Sequence, residues 1–280
     1  MKKQAVVFIV TIIFLFSLLW ICVKFVHREK IPKSQLDSSL LLPVDPEQSR
    51  LINYEIYDGL LHKYVSDGLV DYIVWRTNDY AIFDKYIRSL KYVELDNLDS
   101  NQKKAFWINA YNGITIYAVL KRIPENRLLA KSFSVQAVPG FFDKIEYEVA
   151  GESLTLNDIE NKKLRAGFGD PRVHFAIVCA SRSCPEIQNT VFQPSGLDIR
   201  LDDAARDFIR DTKRNRIDKE NGVLYLSEIF RWFEEDFVKD SGSAIGFVKK
   251  YINENDTAYL THHPITVKYL FYNWMVNMRK

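Results

Sequence analysis

A chain of 280 residues with 47% hydrophobic and 14% aromatic residues carries enough apolar surface for a true core, which excludes an intrinsically disordered protein. Its formal charge is only +2 and its Lys, Arg, Asp and Glu are interleaved, so it lacks the basic field that a nucleic-acid partner requires. No internal repeat or low-complexity tract interrupts it.

The first element is AVVFIVTIIFLFSLLWICV, Ala5 to Val23, a run of 19 residues without a charge. That is close to the roughly 20 residues a helix needs to cross a bilayer. It is longer than the apolar stretch of about 7–15 residues in a cleaved signal peptide, and it ends in Trp20, Ile21, Cys22 and Val23 rather than small residues. The bulky pair before Cys22 also argues against lipid modification there. Residues 1–29 are therefore expected to form an uncleaved single-pass signal anchor, meeting the lipid bilayer through residues 5–26. Lys24, Arg28 and Lys30 favour a cytoplasmic C-terminal flank, whereas the short tail before Ala5 favours a cytoplasmic N-terminus. The expectation is an extracytoplasmic domain, periplasmic or at the cell surface. Residues 30–48, with three prolines, read as an extended linker, and residues 49–280 as one globular domain.

The fold class expected for that domain is mixed α/β (α+β), a central buried helix packed on a small sheet. The helix starts at Asp99 or Ser100, where Asp99 and Gln102 have capping-box spacing. It carries Ala105, Phe106, Ile108, Tyr111, Ile114, Tyr117 and Ala118 until Ile123-Pro124 stops it. Lys144 to Val149 and Ser153 to Leu156 read as a hairpin across Ala150-Gly151, followed by a helix opened by Asn157. Val173 to Val178 reads as a buried strand. A helix follows from Asp198 to about Arg210, then a strand from Val223 to Leu226, and Ser227 caps an aromatic helix. Ser243 caps another helix ending near Tyr251, and Ile265 to Trp274 closes the chain as a strand or extended tail.

Chemistry concentrates in Gly169 to Ile187, GDPRVHFAIVCASRSCPEI, which gathers a His, two Arg and two Cys. Cys184 precedes Pro185-Glu186, the order expected where a chain enters a helix, and a thiol there beside Arg182 would ionise readily. His174 is the nearest base. In an extended strand His174 and Cys179 would lie roughly 16 Å apart on opposite faces, leaving Cys184 to meet the imidazole. Other readings stand beside this one. Cys179 and Cys184 in C-x4-C spacing could close a disulfide loop. Zinc binding by these cysteines and a His lacks the paired C-x2-C spacing of zinc sites, so no metal is expected. No phosphate-cradling Gly loop is present, so no cofactor is expected. His174 on a buried strand fits a core histidine, His262-His263 fit a turn, and the aromatic helix from Phe230 to Phe237 fits the core. Asn109 and Asn112, inside an apolar helix, must either pin a neighbouring loop or line a site.

Several ordered blocks together resemble the family called domain of unknown function 547. They are F-W-I-N-x-Y-N (Phe106 to Asn112), F-F-D (Phe141 to Asp143), the step from Ser153 to Glu160, D-P-R-x-H-F-A-x-x-C-x-x-x-S-C-P (Asp170 to Pro185), L-S-x-I-F-x-W-F-x-x-D-F (Leu226 to Phe237) and Y-N-W-x-x-N (Tyr272 to Asn277). The resemblance spans roughly Leu51 to Met278. It implies a fold but no reaction, and it singles out Trp107, Asn109, Tyr111, Asn112, Arg172, His174, Cys179, Ser183, Cys184 and Pro185. A looser analogy is to papain-like and transglutaminase-like hydrolases, in which a cysteine opens a long buried helix. Here that helix opens at Ser100-Asn101 without one.

The leading expectation is a cysteine-dependent hydrolase or acyl-transferase-like site acting on a peptide or small molecule. Cys184 is its nucleophile, His174 its base and Asn109 or Asn112 its orienting amide, with Arg172, Asn112, Trp107 and Arg182 on the substrate. The rival is a non-catalytic envelope binding or assembly module, its partner an envelope protein, with a structural Cys179–Cys184 loop.

Overall fold

The structure, a computed structural model, describes residues 43–279. The expected membrane anchor and most of the linker lie outside the described residues, and no helix among the described residues is long and apolar enough to cross a membrane. Residues Leu41–Lys280 cluster as one compact unit.

Helices α1 (Glu55–Tyr64), α2 (Tyr72–Ser89) and α3 (Ser100–Leu120) build the first half. The Asp99 carboxylate accepts from the Gln102 N–H and the Gln102 side chain accepts from the Asp99 N–H, both at 2.8 Å, so the capping box predicted from sequence starts α3. Residues 104–120 of α3 are all buried, so this helix is enclosed on every side. Its principal neighbours are α2 and the helical segment after Thr155, and the sheet lies elsewhere. Aromatic rings cement α1 to α2: Tyr57–Tyr86, Tyr64–Trp75 and Tyr57–Phe83 have centroids 5.2, 5.1 and 5.7 Å apart.

The hairpin forms where expected, β1 (Tyr147–Val149) pairing β2 (Glu152–Leu154) antiparallel. Its turn residues Ala150 and Gly151 have φ of 50° and 76°, both left-handed, which matches the right-handed twist of the two strands. The next helix begins two residues earlier than expected, at Leu156. Its cap is Thr155 and not Asn157; Thr155 is reciprocally bonded with Asp158, because a hydroxyl at that position reaches the free N–H three residues on. The helix then widens into a π-helix, Ile159–Arg165, before a last turn, Ala166–Phe168. π-Turns often occur at functional sites, and this one carries Glu160 and Arg165.

The expected strand from Val173 to Val178 is not a strand. Asp170 and Pro171 set up a helical turn, α4 (Val173–Ala176), with the Asp170 carboxylate accepting from the Arg172 N–H at 3.1 Å. The chain becomes extended only from Ile177. β-Branched residues give strand only where a neighbouring strand completes the ladder, and among the described residues no strand pairs with this segment. The expected helix after Cys184 is also absent, and residues 185–195 are irregular. The backbone groups of that segment bond to side chains instead: Val191 N–H to Asp58 at 2.8 Å and Phe192 N–H to Asn109 at 2.9 Å.

Helix α5 (Leu197–Arg210) buries Leu201, Ala204, Ala205, Phe208 and Ile209 as its spacing requires. Strand β3 (Arg216–Asp218) pairs antiparallel with β4 (Val223–Leu226), which pairs parallel with β5 (Thr266–Tyr269). The aromatic helix is two pieces, α6 (Ile229–Trp232) and α7 (Glu234–Ser241), broken at Phe233. Helices α8 (Ala244–Lys249), capped by Ser243, and α9 (Glu254–His262) precede β5, so His262 ends a helix and His263 follows it. Phe175, Phe208, Phe230, Phe237 and Phe247 centre a second core on these elements. The final residues thread between distant segments, with the Asn277 N–H bonding Ala180 at 3.0 Å and the Asn277 carbonyl accepting from Val70 at 3.0 Å.

Candidate functional site

A cleft of about 400 Å³ gathers Glu160 from the π-helix, His174 from α4, Cys179 and Cys184 from the loop after it, Tyr111 from α3 and Tyr272 from the closing tail. Its walls include Phe142, Trp232, Phe233 and Trp274. His174 and Cys179 thus line the same cleft, which the strand geometry expected from sequence would have forbidden; the helical turn of α4 brings them onto one side.

His174 is buried, its ring stacked on Phe233 with centroids 4.0 Å apart. Its Nε2 lies 2.7 Å from the Asp236 carboxylate, which Arg165 grips through Nε at 2.6 Å and Nη2 at 3.1 Å. Burial raises the Asp236 carboxyl, but His174 and Arg165 overcome it and hold that group far below the ordinary carboxylate range. Burial also pushes the imidazole below its usual value, against the pull of Asp236. The Asp236 carboxylate can only accept, so the ring places a proton on Nε2, and Nδ1 has no hydrogen-bond partner. It faces Glu160 Oε1 at 3.9 Å.

Glu160 is raised from 4.5 to about 7, chiefly because burial penalises its charge. The Tyr111 hydroxyl donates to it at 3.3 Å. Burial drives the Tyr111 phenol well above its ordinary value, and the charges of Glu160 and Cys179 add to this, which places the phenol electrostatically between carboxyl and sulfur.

The sulfurs differ. Cys179 is partly exposed, and its Sγ lies 3.0 Å from the Ser181 hydroxyl and 3.1 Å from the Tyr272 hydroxyl. Cys184 is buried, and its Sγ accepts from the Cys179 N–H at 2.8 Å. Burial raises both thiols, but hydrogen bonds from Cys184, Ser181 and Tyr272 bring Cys179 below the ordinary thiol value, whereas Cys184 stays well above it. Of the two sulfurs, Cys179 is the one whose thiolate form its surroundings favour. This reverses the expectation of an ionised Cys184 at a helix N-terminus, since the helix that would have stabilised it does not form. Both cysteines are free thiols. Between Cys179 and Ser181, Ala180 adopts φ 58°, a left-handed conformation costly for a residue with a Cβ.

The other residues expected at the site lie elsewhere. The Asn109 amide donates to the Phe192 carbonyl at 2.8 Å and accepts from its N–H at 2.9 Å. Asn112 donates to the Ala176 carbonyl at 2.9 Å and accepts from the Val178 N–H at 2.8 Å. Both amides pin loops. Arg172 is held by Asp170, Asp198 and Asp202, and Trp107 lies under the Lys163 ammonium, 5.4 Å from its ring centroid. Arg182 is exposed and does not line the cleft. No group of His, Cys, Asp and Glu among the described residues is arranged to hold a metal ion. Sequence reasoning missed Glu160, Arg165, Asp236 and Tyr272 as a set. The available signals were Asp236, one of three consecutive acids in the aromatic helix, and Glu160, which ends the family block from Ser153.

No curated protein and no solved structure matches the chain. A family model described as a protein of unknown function, DUF547, matches residues 95–209, which include Tyr111, Glu160, His174 and both cysteines. Over that region the chain is similar to the family DUF547, proteins of unknown function.

Proposed function

We propose that the cleft performs cysteine-dependent acyl transfer or hydrolysis with Cys179 as nucleophile. The observation that carries this reading is a partly exposed sulfur with two hydroxyls within 3.1 Å, sharing its cleft with an imidazole and a carboxyl raised to about 7. The Cys179 thiolate forms a bond to an acyl carbon as the bond to the leaving group breaks. Protonated Glu160, backed by His174, gives its proton to that leaving group. The Glu160 carboxylate then takes a proton from water, which attacks the thioester and releases the acid and the thiolate. Asp236 and Arg165 hold the imidazole in one tautomer, and the Tyr111, Ser181 and Tyr272 hydroxyls are donors for developing negative charge. The aromatic walls favour an acyl group with apolar character, from a peptide or a small molecule.

A second reading is a non-catalytic envelope module whose Cys179–Cys184 loop is closed by a disulfide, favoured by the closeness of the Cys184 sulfur to the Cys179 backbone, 2.8 Å. Brief iodoacetamide labelling of the native full-length chain at neutral pH, followed by peptide mapping, separates the two. Selective labelling of Cys179, together with a stoichiometric burst of p-nitrophenol from p-nitrophenyl acetate, supports catalysis. Recovery of the two sulfurs as a disulfide, with no labelling before reduction, sinks it. The membrane tether through residues 5–26 and an extracytoplasmic domain belong to the same proposal, supported by the uncharged run Ala5 to Val23. Release of the chain by alkaline carbonate without detergent would exclude the tether.

A further inference from the structure

A second cavity, about 420 Å³, opens where the end of α3 meets α2 and β1, and it shares no residue with the cleft. Lys121 and Arg122 reach it from the end of α3, and Tyr117, Tyr147, Ile87 and Ile145 give it an aromatic and aliphatic wall. Arg122 donates through Nη1 to the Ala118 carbonyl at 2.9 Å, meeting one carbonyl of the helix end. Lys121 lies over the Tyr117 ring, 5.1 Å from its centroid.

Among the described residues, neither Lys121 nor Arg122 forms an ion pair. The carboxylates nearby have other partners. Asp84 is paired with Arg88 at 2.7 Å, Glu146 accepts from the Ser153 hydroxyl at 2.7 Å, and Glu148 stands 3.7 Å from Lys91. Burial and the charge of Arg122 hold the Lys121 ammonium below its ordinary value, a cost that a bound anion would relieve. The Tyr147 hydroxyl is buried beside the Arg122 guanidinium, which can only donate, so its own hydrogen meets no acceptor. A buried donor left unmade costs about 1–3 kcal/mol, so the site is one acceptor short.

We infer that this cavity binds a phosphate-bearing anion with an apolar body, held by Lys121, Arg122 and the Tyr147 hydroxyl. Three donors from two elements suit a tetrahedral group, whose oxygens point in several directions, better than a planar carboxylate. A phospholipid headgroup and a soluble phosphate ester both present such a group, and both are admissible sources.

The test uses the full chain in dodecyl maltoside micelles, which carry no phosphate. Phenyl phosphate is titrated in one arm, and phosphatidylglycerol is mixed into the micelles in the other, with hydrogen exchange at residues 117–122 and 145–148 as the readout. Protection by phenyl phosphate identifies a soluble ester, and protection only by phosphatidylglycerol identifies a headgroup; either supports the site. The double substitution K121Q/R122Q should weaken the effective ligand by about tenfold or more. Tyr147→Phe should weaken it several-fold with an unfolding temperature changed little, since that hydroxyl donates to nothing within the protein. No protection by either probe, or equal protection in K121Q/R122Q, overturns the inference.

Discussion

Two sets of buried polar groups in this protein obey opposite rules. On α3, Asn109 and Asn112 each meet one backbone carbonyl and one backbone N–H, so each amide substitutes for missing secondary structure in the segment it holds. In the cleft, His174 Nδ1 has no partner, Glu160 is held near neutrality by burial, and a sulfur is flanked by hydroxyls. Asparagine in an apolar helix marks architecture here. Incomplete pairing beside an aromatic wall marks the place where chemistry is proposed.

Four outcomes would break or sharpen that contrast. Cys179→Ser should remove the acyl burst by about a thousandfold or more while Cys184→Ser leaves a burst; loss with Cys184→Ser alone would move the nucleophile. Asn112→Ala strands a buried N–H and a buried carbonyl, so denaturant unfolding should show a loss of about 2–4 kcal/mol, and a smaller loss would make that amide dispensable to the fold. Glu160→Gln tests the cleft through pH. Because the folded carboxyl is raised from 4.5 to about 7, the native state holds a proton that the unfolded chain has released in that window. Wild-type stability should therefore fall as pH rises from 4.5 to about 7, by something on the order of 3 kcal/mol, and the substitution should abolish that slope. A slope that survives in Glu160→Gln would assign the proton elsewhere. Last, Ala180→Gly should stabilise by about 1 kcal/mol by relieving the left-handed backbone, and destabilisation would show that the Cβ packs usefully.

The helices and the hairpin were legible because their signals are local. The Asp99–Gln102 cap, the Ala150-Gly151 turn and the amphipathic spacing of α5 depend on residues within a few positions of one another. The region from Val173 to Val191 was misread because its structure is imposed from afar. Asn112 holds Val178, Asn109 holds Phe192, and Asp58 holds Val191, over 66 to 133 positions of sequence. Without those bonds VHFAIV has the composition of a strand, and Cys184-Pro185-Glu186 that of a helix start. The neighbourhood of the cleft was located from the density of reactive residues. The sulfur favoured for charge could not be, since it depends on the Tyr272 hydroxyl, 93 positions away.

The closing tail has a consequence for biosynthesis. Tyr272 faces the Cys179 sulfur, Asn277 bonds the Ala180 carbonyl, and Met275 accepts from the Arg182 N–H at 2.9 Å, so residues 272–277 shape a loop made about ninety positions before them. While residues 272–277 are still within the ribosome, α3 and its aromatic partners already have their local contacts, but the cysteine loop lacks its scaffold. The nascent protein is thus without an organised cleft until that segment emerges, and a cut before Tyr272 would remove that organisation while leaving the helices that precede it intact.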